Sequence, residues 1–358
     1  MSVSPPQYRL PAEWEPQTGV MLTWPHAGGD WADILEAVEP VFLAIAEAVA
    51  RRENLLMNCT DEDQAGHVKR ALLERGVSEN RLFIALTPSN DTWARDHGPL
   101  TVSGDAGVRL LDFRFNGWGN KYPAGKDNAI NRGLADAGWF GDCPMETVEL
   151  ILEGGSIDSD GCGTLLTTTS CLLNPQRNPG LSRQAIEAEL QARLGTDRVL
   201  WLDHGCIEGD DTDGHIDMLA RFADPQTLIY QSCDEPGYGC YAALKTMEDE
   251  LRAFRDREGR PYRLVALPWP QARHAAAGER MPASYANFLL INGAVLMPTY
   301  RDPADAVAAR QLQTCFPDRE LVSIDCLPVI RQHGSLHCLT MQLPAGIGLQ
   351  RPQRQYRQ

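Results

Sequence analysis

The sequence predicts an α/β fold built as one domain, and three observations carry that prediction. Amphipathic helical stretches alternate with short apolar runs bounded by turn residues, as expected of helices packed on sheets. After the first two helices, a new one begins roughly every 60 residues with two or three strand candidates between, which suggests similar β-rich units. No Gly/Ser-rich or Pro-rich linker divides residues 1–347, while 348–358, rich in Arg and Gln, reads as a disordered tail.

The first helix is expected over 31–52, capped by Asp30 and kinked at Pro40, which has no N–H to give. Further helices are expected over 63–75, 128–138, 182–194, 241–257 and 304–316, each with an apolar face. Strands are expected at 20–23, 55–59, 82–86, 110–115, 163–168, 199–202, 227–230, 264–267, 288–297 and 321–324, where apolar or β-branched runs lie between turn residues.

Charge narrows the function. With 33 Lys+Arg against 48 Asp+Glu the net charge is −15, which disfavours nucleic acid and anionic membrane and favours a small cationic ligand. No run approaches the roughly 18 apolar residues that a membrane helix needs. The opening Met1-Ser2-Val3-Ser4-Pro5-Pro6 has neither the basic start nor the apolar core of a secretory signal. Ten cysteines without a single Cys-x-x-Cys pair read as reduced thiols in the cytoplasm, not as a disulfide framework.

The richest stretch is Asp210-Asp211-Thr212-Asp213-Gly214-His215-Ile216-Asp217, four carboxylates around one imidazole. Were 213–217 extended, alternation would put Asp213, His215 and Asp217 on one strand face. Such a face can hold a divalent metal, or grip a cation beside a general acid/base. Cys338 follows small residues in His333-Gly334-Ser335-Leu336-His337, which allow close backbone approach and leave a thiol accessible. Trp93-Ala94-Arg95-Asp96 leads into a Gly98-Pro99 turn, and Glu153 is followed by Gly154-Gly155. Phe115-Asn116-Gly117-Trp118-Gly119 offers an aromatic lid or pocket wall.

Taken in order, these islands resemble the agmatine deiminase family of the guanidino-group-modifying superfamily. The likeness rests on Trp93-Ala94-Arg95-Asp96 with Gly98-Pro99, Phe115-Asn116-Gly117-Trp118-Gly119, Leu152-Glu153-Gly154-Gly155-Ser156-Ile157, the segment 210–217, and His337-Cys338-Leu339-Thr340. The resemblance implies a five-bladed α/β propeller, the pentein fold, with ββαβ-type units around a central site. It implies conversion of agmatine to N-carbamoylputrescine and ammonia, a step toward putrescine, with no cofactor and no metal. A homodimer is implied only by that likeness. Carried over by position, Cys338 is the expected nucleophile and His215 the general acid/base. Asp96 and Asp217 are the expected guanidinium clamps, and Glu153 supports His215. Trp93 and Trp118 are expected to flank the substrate, and Asp211 or Asp213 to meet its far end.

These residue types suit the reaction. A guanidinium is planar, delocalised and nearly always charged, so it is a poor electrophile until carboxylates fix its plane. A thiolate can then attack its carbon while an imidazolium protonates the departing nitrogen. A thiol among three carboxylates resists ionisation, so the substrate's own charge is expected to trigger it. The rival reading is a manganese ureohydrolase using Asp213, His215 and Asp217 as ligands. A peptidyl-arginine deiminase or an amidinotransferase would use the same cysteine machinery.

Overall fold

Four times along the chain, an antiparallel strand pair is followed by a helical crossover and a third strand parallel to the second. The local sequence permits this order because a hairpin needs only a tight turn, whereas a parallel neighbour needs a connection long enough for a helix. The computed structural model describes residues 8–352. Its first three strands are β1 (Gln17–Thr23), β2 (Asn54–Cys59) and β3 (Leu82–Leu86). The four repeats are β4 (Leu100–Gly104), β5 (Gly107–Arg114), β6 (Met145–Ile151); β7 (Ile157–Ser159), β8 (Thr164–Thr168), β9 (Arg198–Leu202); β10 (Ala220–Asp224), β11 (Thr227–Gln231), β12 (Arg263–Leu267); and β13 (Leu289–Ile291), β14 (Ala294–Thr299), β15 (Glu320–Asp325).

The fifth sheet is assembled from both ends. β16 (Thr340–Pro344) pairs antiparallel with β1, with Met21 opposite Met341, and β1 continues parallel into β2 and β3. Each sheet packs against the next, and the last returns to the first through β1 with β13 and through helix Leu35–Ala50 with β15. The result is the five-bladed α/β propeller, closed by its C-terminal strand. Radial repetition of this kind leaves only short, protected strand edges.

The crossover helices are Leu35–Ala50, Asp127–Asp136, Arg183–Leu194, Tyr241–Ala253 and Asp305–Cys315, with Glu62–Glu74 joining β2 to β3. Their boundaries follow local chemistry. Asp61 accepts from Gln64 N at 2.8 Å to start Glu62–Glu74. Gly195, at φ 66°, ends Arg183–Leu194 in the left-handed region open to glycine. The apolar faces of these helices and sheets merge into a buried core that includes Phe42, Leu244, Phe288 and Leu312.

Several expectations change. The run 288–297 is two strands around a turn at Asn292-Gly293, not one. Asp30 caps nothing: a 3-10 turn, Ala32–Ile34, leads into the helix, which then runs through Pro40 unbroken. The segment from Gly348 is held at least to Arg351, whose guanidinium lies 5.0 Å from the Phe83 ring centroid and donates to Leu82 O. Residues 353–358 lie outside the described residues. Cys206 and Cys240 form a disulfide with 5.7 Å between their Cα atoms, against the expectation of thiols throughout. Among the described residues no helix is long and apolar enough to cross a membrane.

Candidate active site

The first strand of every blade is entered through a short helical turn. Ala94–His97, Gly154–Ser156, Ile216–Met218 and His337–Leu339 precede β4, β7, β10 and β16, and successive turns pack together. A fifth, at 284–287, precedes β13 and is closed by Asn287 N donating to Ser284 O. At these turns stand Asp96, Glu153 and Gly155, His215 and Asp217, Asn287, and Cys338. Repetition of the blade therefore gathers residues from five distant parts of the chain.

Cys338 is buried, with Sγ 3.8 Å from Asp217 Oδ2 and 3.3 Å from the donating Asn287 Nδ2. Asn287 Oδ1 accepts from the backbone N of His337 at 2.8 Å, which holds the cysteine turn. Asp217 Oδ1 has no partner although the residue is fully buried. Asp96 accepts from Trp118 Nε1 at 2.9 Å and from Gly155 N at 3.1 Å, and its Oδ1 lies 3.5 Å from His215 Nδ1. A Cβ built on Gly155 would sit 2.6 Å from His215 Nδ1, 2.8 Å from Asp96 Oδ1 and 3.2 Å from Asp217 Oδ2. These three groups thus face the same point, and Gly155 keeps it open.

Neither nitrogen of His215 has a hydrogen-bond partner. Glu153, expected to support that imidazole, instead takes both its bonds from Arg177 Nε, at 2.9 and 3.0 Å. Glu153, Cys171 and His215 do bring one ligand-type atom each within 4.8 Å of one another. A metal fits poorly there, because the Arg177 guanidinium already occupies Glu153 and adds a positive charge.

The extended run expected over 213–217 does not form. Asp213 (φ 69°) and Gly214 (φ 87°) reverse the chain, and His215 then opens a 3-10 turn. Asp213 is turned to Arg177 Nη1 at 2.7 Å and Lys121 Nζ at 2.8 Å. Asp213, His215 and Asp217 therefore do not share a strand face, and the ligand set of the ureohydrolase reading is not assembled.

Above this floor is a narrow cleft lined by Trp93, Trp118, Tyr122, Asp96 and Cys338, with Asp30, Asp91 and Asp211 also on its walls. Gly334 lies against Trp93, where a Cβ would come within 2.3 Å of the ring, so the small residues before Cys338 do permit close approach. Trp118 is left-handed at φ 54°, a conformation costing a non-glycine residue about 1–2 kcal/mol. It is held by its bond to Asp96 and by edge contacts with Phe115 and Tyr122 at 5.0 and 5.6 Å. Asp211 accepts from Tyr122 OH at 2.7 Å, and its carbonyl accepts from Lys121 Nζ.

Burial dominates the electrostatics. It raises the Cys338 thiol well above its ordinary value, with Asp217 and Asp96 adding to the effect. It raises Asp96 strongly too, again with Asp217 and then Glu153 contributing. It lowers His215 to about 3, outweighing the pull of Asp217. For Asp217 burial pushes upward, but the hydrogen bond and charge of His337 outweigh it, and the carboxylate is lowered. The site therefore favours a neutral thiol and a neutral imidazole, and it holds its two carboxyl groups apart, Asp96 raised and Asp217 lowered.

The structure thus brings Cys338, His215, Asp96, Asp217, Trp93 and Trp118 together, with Asp211 at the cleft wall and Glu153 behind. Sequence reasoning missed Arg177, Asn287 and the Glu13–His337 pair below Asp217. Of these only His337 carried a signal, its place beside Cys338 in the motif His337-Cys338-Leu339-Thr340.

Comparison with known proteins agrees with this geometry. The profile of the family described as Porphyromonas-type peptidyl-arginine deiminase matches residues 9–344. An agmatine deiminase of Stutzerimonas stutzeri (strain A1501) is 34% identical, over 94% of this chain and 96% of that protein. The C. jejuni agmatine deiminase solved with substrate bound is 33% identical, with a TM-score of 0.88 over 95% of this chain and 97% of that one. A Porphyromonas gingivalis structure with a provisional arginine deiminase name is 48% identical, with a TM-score of 0.88 over 95% and 99%. With its fold and its cysteine, histidine and carboxylate floor in place, the chain belongs to the Porphyromonas-type peptidyl-arginine deiminase family.

Proposed function

We propose that this chain hydrolyses agmatine to N-carbamoylputrescine and ammonia through an amidino-cysteine on Cys338, on the route to putrescine. The observation that carries the reading is the buried floor itself. A thiol lies 3.8 Å from one carboxylate whose second oxygen is unpartnered, with another carboxyl and a free imidazole around the same opening. A planar cation supplies the N–H donor that Asp217 Oδ1 lacks and can place another against Asp96.

In this mechanism the guanidinium enters below Trp93 and Trp118 and settles between Asp96 and Asp217. The Cys338 proton moves to His215, and the thiolate forms an S–C bond to the guanidinium carbon. His215 returns that proton to one nitrogen, the C–N bond breaks, and ammonia leaves. Water then adds to the thiouronium carbon with neutral His215 taking a proton. The C–S bond breaks as the added hydroxyl's proton passes to the departing sulfur, which releases the ureido product and restores the thiol. His215 gives its proton to the departing ammonia or solvent. Glu153 acts on His215 across a short gap, with Arg177 fixing its direction.

The substrate's far end is better matched by an ammonium than by a carboxylate. Asp30, Asp91 and Asp211 line the cleft and would repel the α-carboxylate of free arginine. This favours agmatine over arginine; an arginyl peptide, without that carboxylate, is the second reading, favoured by the family's description. A cytoplasmic setting and a homodimer belong to the same proposal.

The test is turnover of agmatine, arginine and arginyl peptides, with ammonia, urea and ureido product measured separately. Ammonia and ureido product from agmatine, insensitive to chelator, with an amidino adduct on Cys338 in the trapped intact protein, are expected. Urea release, or full activity in Cys338→Ala, would overturn the reading.

A further inference from the structure

Beneath Cys338 lies a second buried histidine to which the chemistry above gives no task. His337 presents Nδ1 to Asp217 Oδ2 at 2.8 Å and Nε2 to Glu13 Oε2 at 2.7 Å. Glu13 comes from the segment before β1 and also accepts from Leu290 N at 2.7 Å, so it is fixed from a third blade. Arg221 Nη2 lies 2.9 Å from Glu13, and its Nε donates to Asp158 at 2.7 Å. Arg95 lies 3.5 Å from Glu13 and donates from Nε to the His337 carbonyl. Asp96, His215 and Cys338 face Asp217 from the cleft, and Arg319 acts on Glu13 from the outer side.

Two arguments fix the state of this ring. Asp217 Oδ2 and Glu13 Oε2 flank the ring at 2.8 and 2.7 Å, and Glu13, 2.9 Å from the Arg221 guanidinium and accepting from Leu290 N, is paired as an ionised carboxylate is. Ionised carboxylates only accept, so both ring nitrogens must donate and the ring is an imidazolium. Charge balance points the same way. In direct ion-pair contact Glu13, Asp158 and Asp217 meet only Arg95 and Arg221, with Arg319 acting on Glu13 from farther out, and a third contacting cation balances the three acids.

We propose that His337, backed by Glu13, is a positioning residue: as an imidazolium it locks Asp217 through Oδ2, leaves Oδ1 free for a guanidinium N–H, and sets a positive charge beside Cys338. The role in turnover rests on the deiminase reading, whereas the state of the ring does not. The segment before β1 thereby becomes part of the site, although it lies far from Cys338 in sequence.

The test uses the full chain and two readouts. Side-chain ¹⁵N NMR of the histidine-labelled protein near pH 7 should show protons on both His337 nitrogens, assigned by their loss in His337→Gln. One bare nitrogen overturns the proposal, whether or not the protein turns over guanidines. In His337→Gln the acid limb of kcat/KM for agmatine should move up by about 1–3 pH units, because Asp217 loses its cation. KM at low pH should then rise about tenfold for every pH unit by which the limb moves, with kcat less affected. Glu13→Gln, which leaves His337 in place, should move the limb the same way by less, and serves if His337→Gln fails to fold. A uniform loss of activity without movement of the limb marks a merely structural ring and overturns the proposal.

Discussion

A methyl group on Gly155 would stand 2.6 Å from His215 Nδ1, closer than any ordinary contact, so one missing side chain keeps the imidazole where it is. Gly155 is not forced into a left-handed conformation, so alanine is tolerable to the backbone and intolerable to the site. Gly155→Ala should therefore keep most of the melting temperature and lower kcat about 100-fold, the usual cost of a reacting group misplaced by about 1 Å. Thermal melts with steady-state kinetics decide it. A normal kcat would mean that His215 can move aside without consequence.

Arg177 and Glu153 form a wholly buried pair, and Arg177 also reaches Asp213 and the Thr212 carbonyl. Breaking such a pair leaves a buried charge alone, at a cost of about 3–5 kcal/mol, whereas replacing both members by apolar residues can be nearly neutral. Arg177→Met should lose stability on that scale in urea unfolding. The double variant with Glu153→Met should regain most of it and stay inactive. Recovery of activity in the double variant would remove Glu153 from the mechanism.

How much of this was legible follows from where the polar groups lie. The outer strands and the crossover helices carry the usual apolar patterns and were readable, as at Leu82–Leu86 and Arg263–Leu267. The inner strands β4, β7, β10 and β16 were not. They are short and carry groups such as Asp158 and Arg221, which satisfy each other away from water and so spoil the apolar run. β6 gives no such signal because its buried Val148 and Leu150 alternate with exposed Thr147 and Glu149, so no apolar run is continuous there. In the site, motif order was enough to bring Cys338, His215, Asp96 and Asp217 together. Asp213 escaped because two left-handed residues, Asp213 and Gly214, break the alternation assumed for it. Arg177 is a single arginine in a loop, and nothing in its neighbours marks it. The Cys206–Cys240 pair spans 34 residues and has no spacing signature.

The ionisation of Cys338 should depend on occupancy of the cleft. Burial and two acids raise the empty-site thiol, and a guanidinium between Asp96 and Asp217 cancels much of that field. Ultraviolet titration of the thiolate, corrected with Cys338→Ala, should show little ionisation below about pH 9 in the free protein and an inflection lowered by about one pH unit or more with a non-reactive guanidinium inhibitor. Equal curves with and without inhibitor would reject substrate-assisted ionisation and leave Cys338 to be activated by His215 alone.

Asp127 links this loop architecture to pH. Its Oδ1 accepts from Asn90 N at 2.6 Å and from Asp91 N at 3.2 Å, holding the chain that leads to Trp93 and Asp96. Burial first, with Asp91 adding, pushes its carboxyl from the usual 3.8 up to about 7, against those two backbone bonds. Between these values the folded protein binds the proton and the unfolded chain does not, so this group's share of stability is present at low pH and is lost as pH rises toward 7. The size is on the order of 4 kcal/mol. Asp127→Asn keeps an acceptor oxygen for the two amides and cannot ionise. Its stability relative to wild type should therefore climb by a few kcal/mol between about pH 5 and pH 8 in urea unfolding. Parallel pH curves for the two proteins would mean that Asp127 is already ionised in the folded state at about pH 5, and that the two backbone bonds, not burial, set its charge.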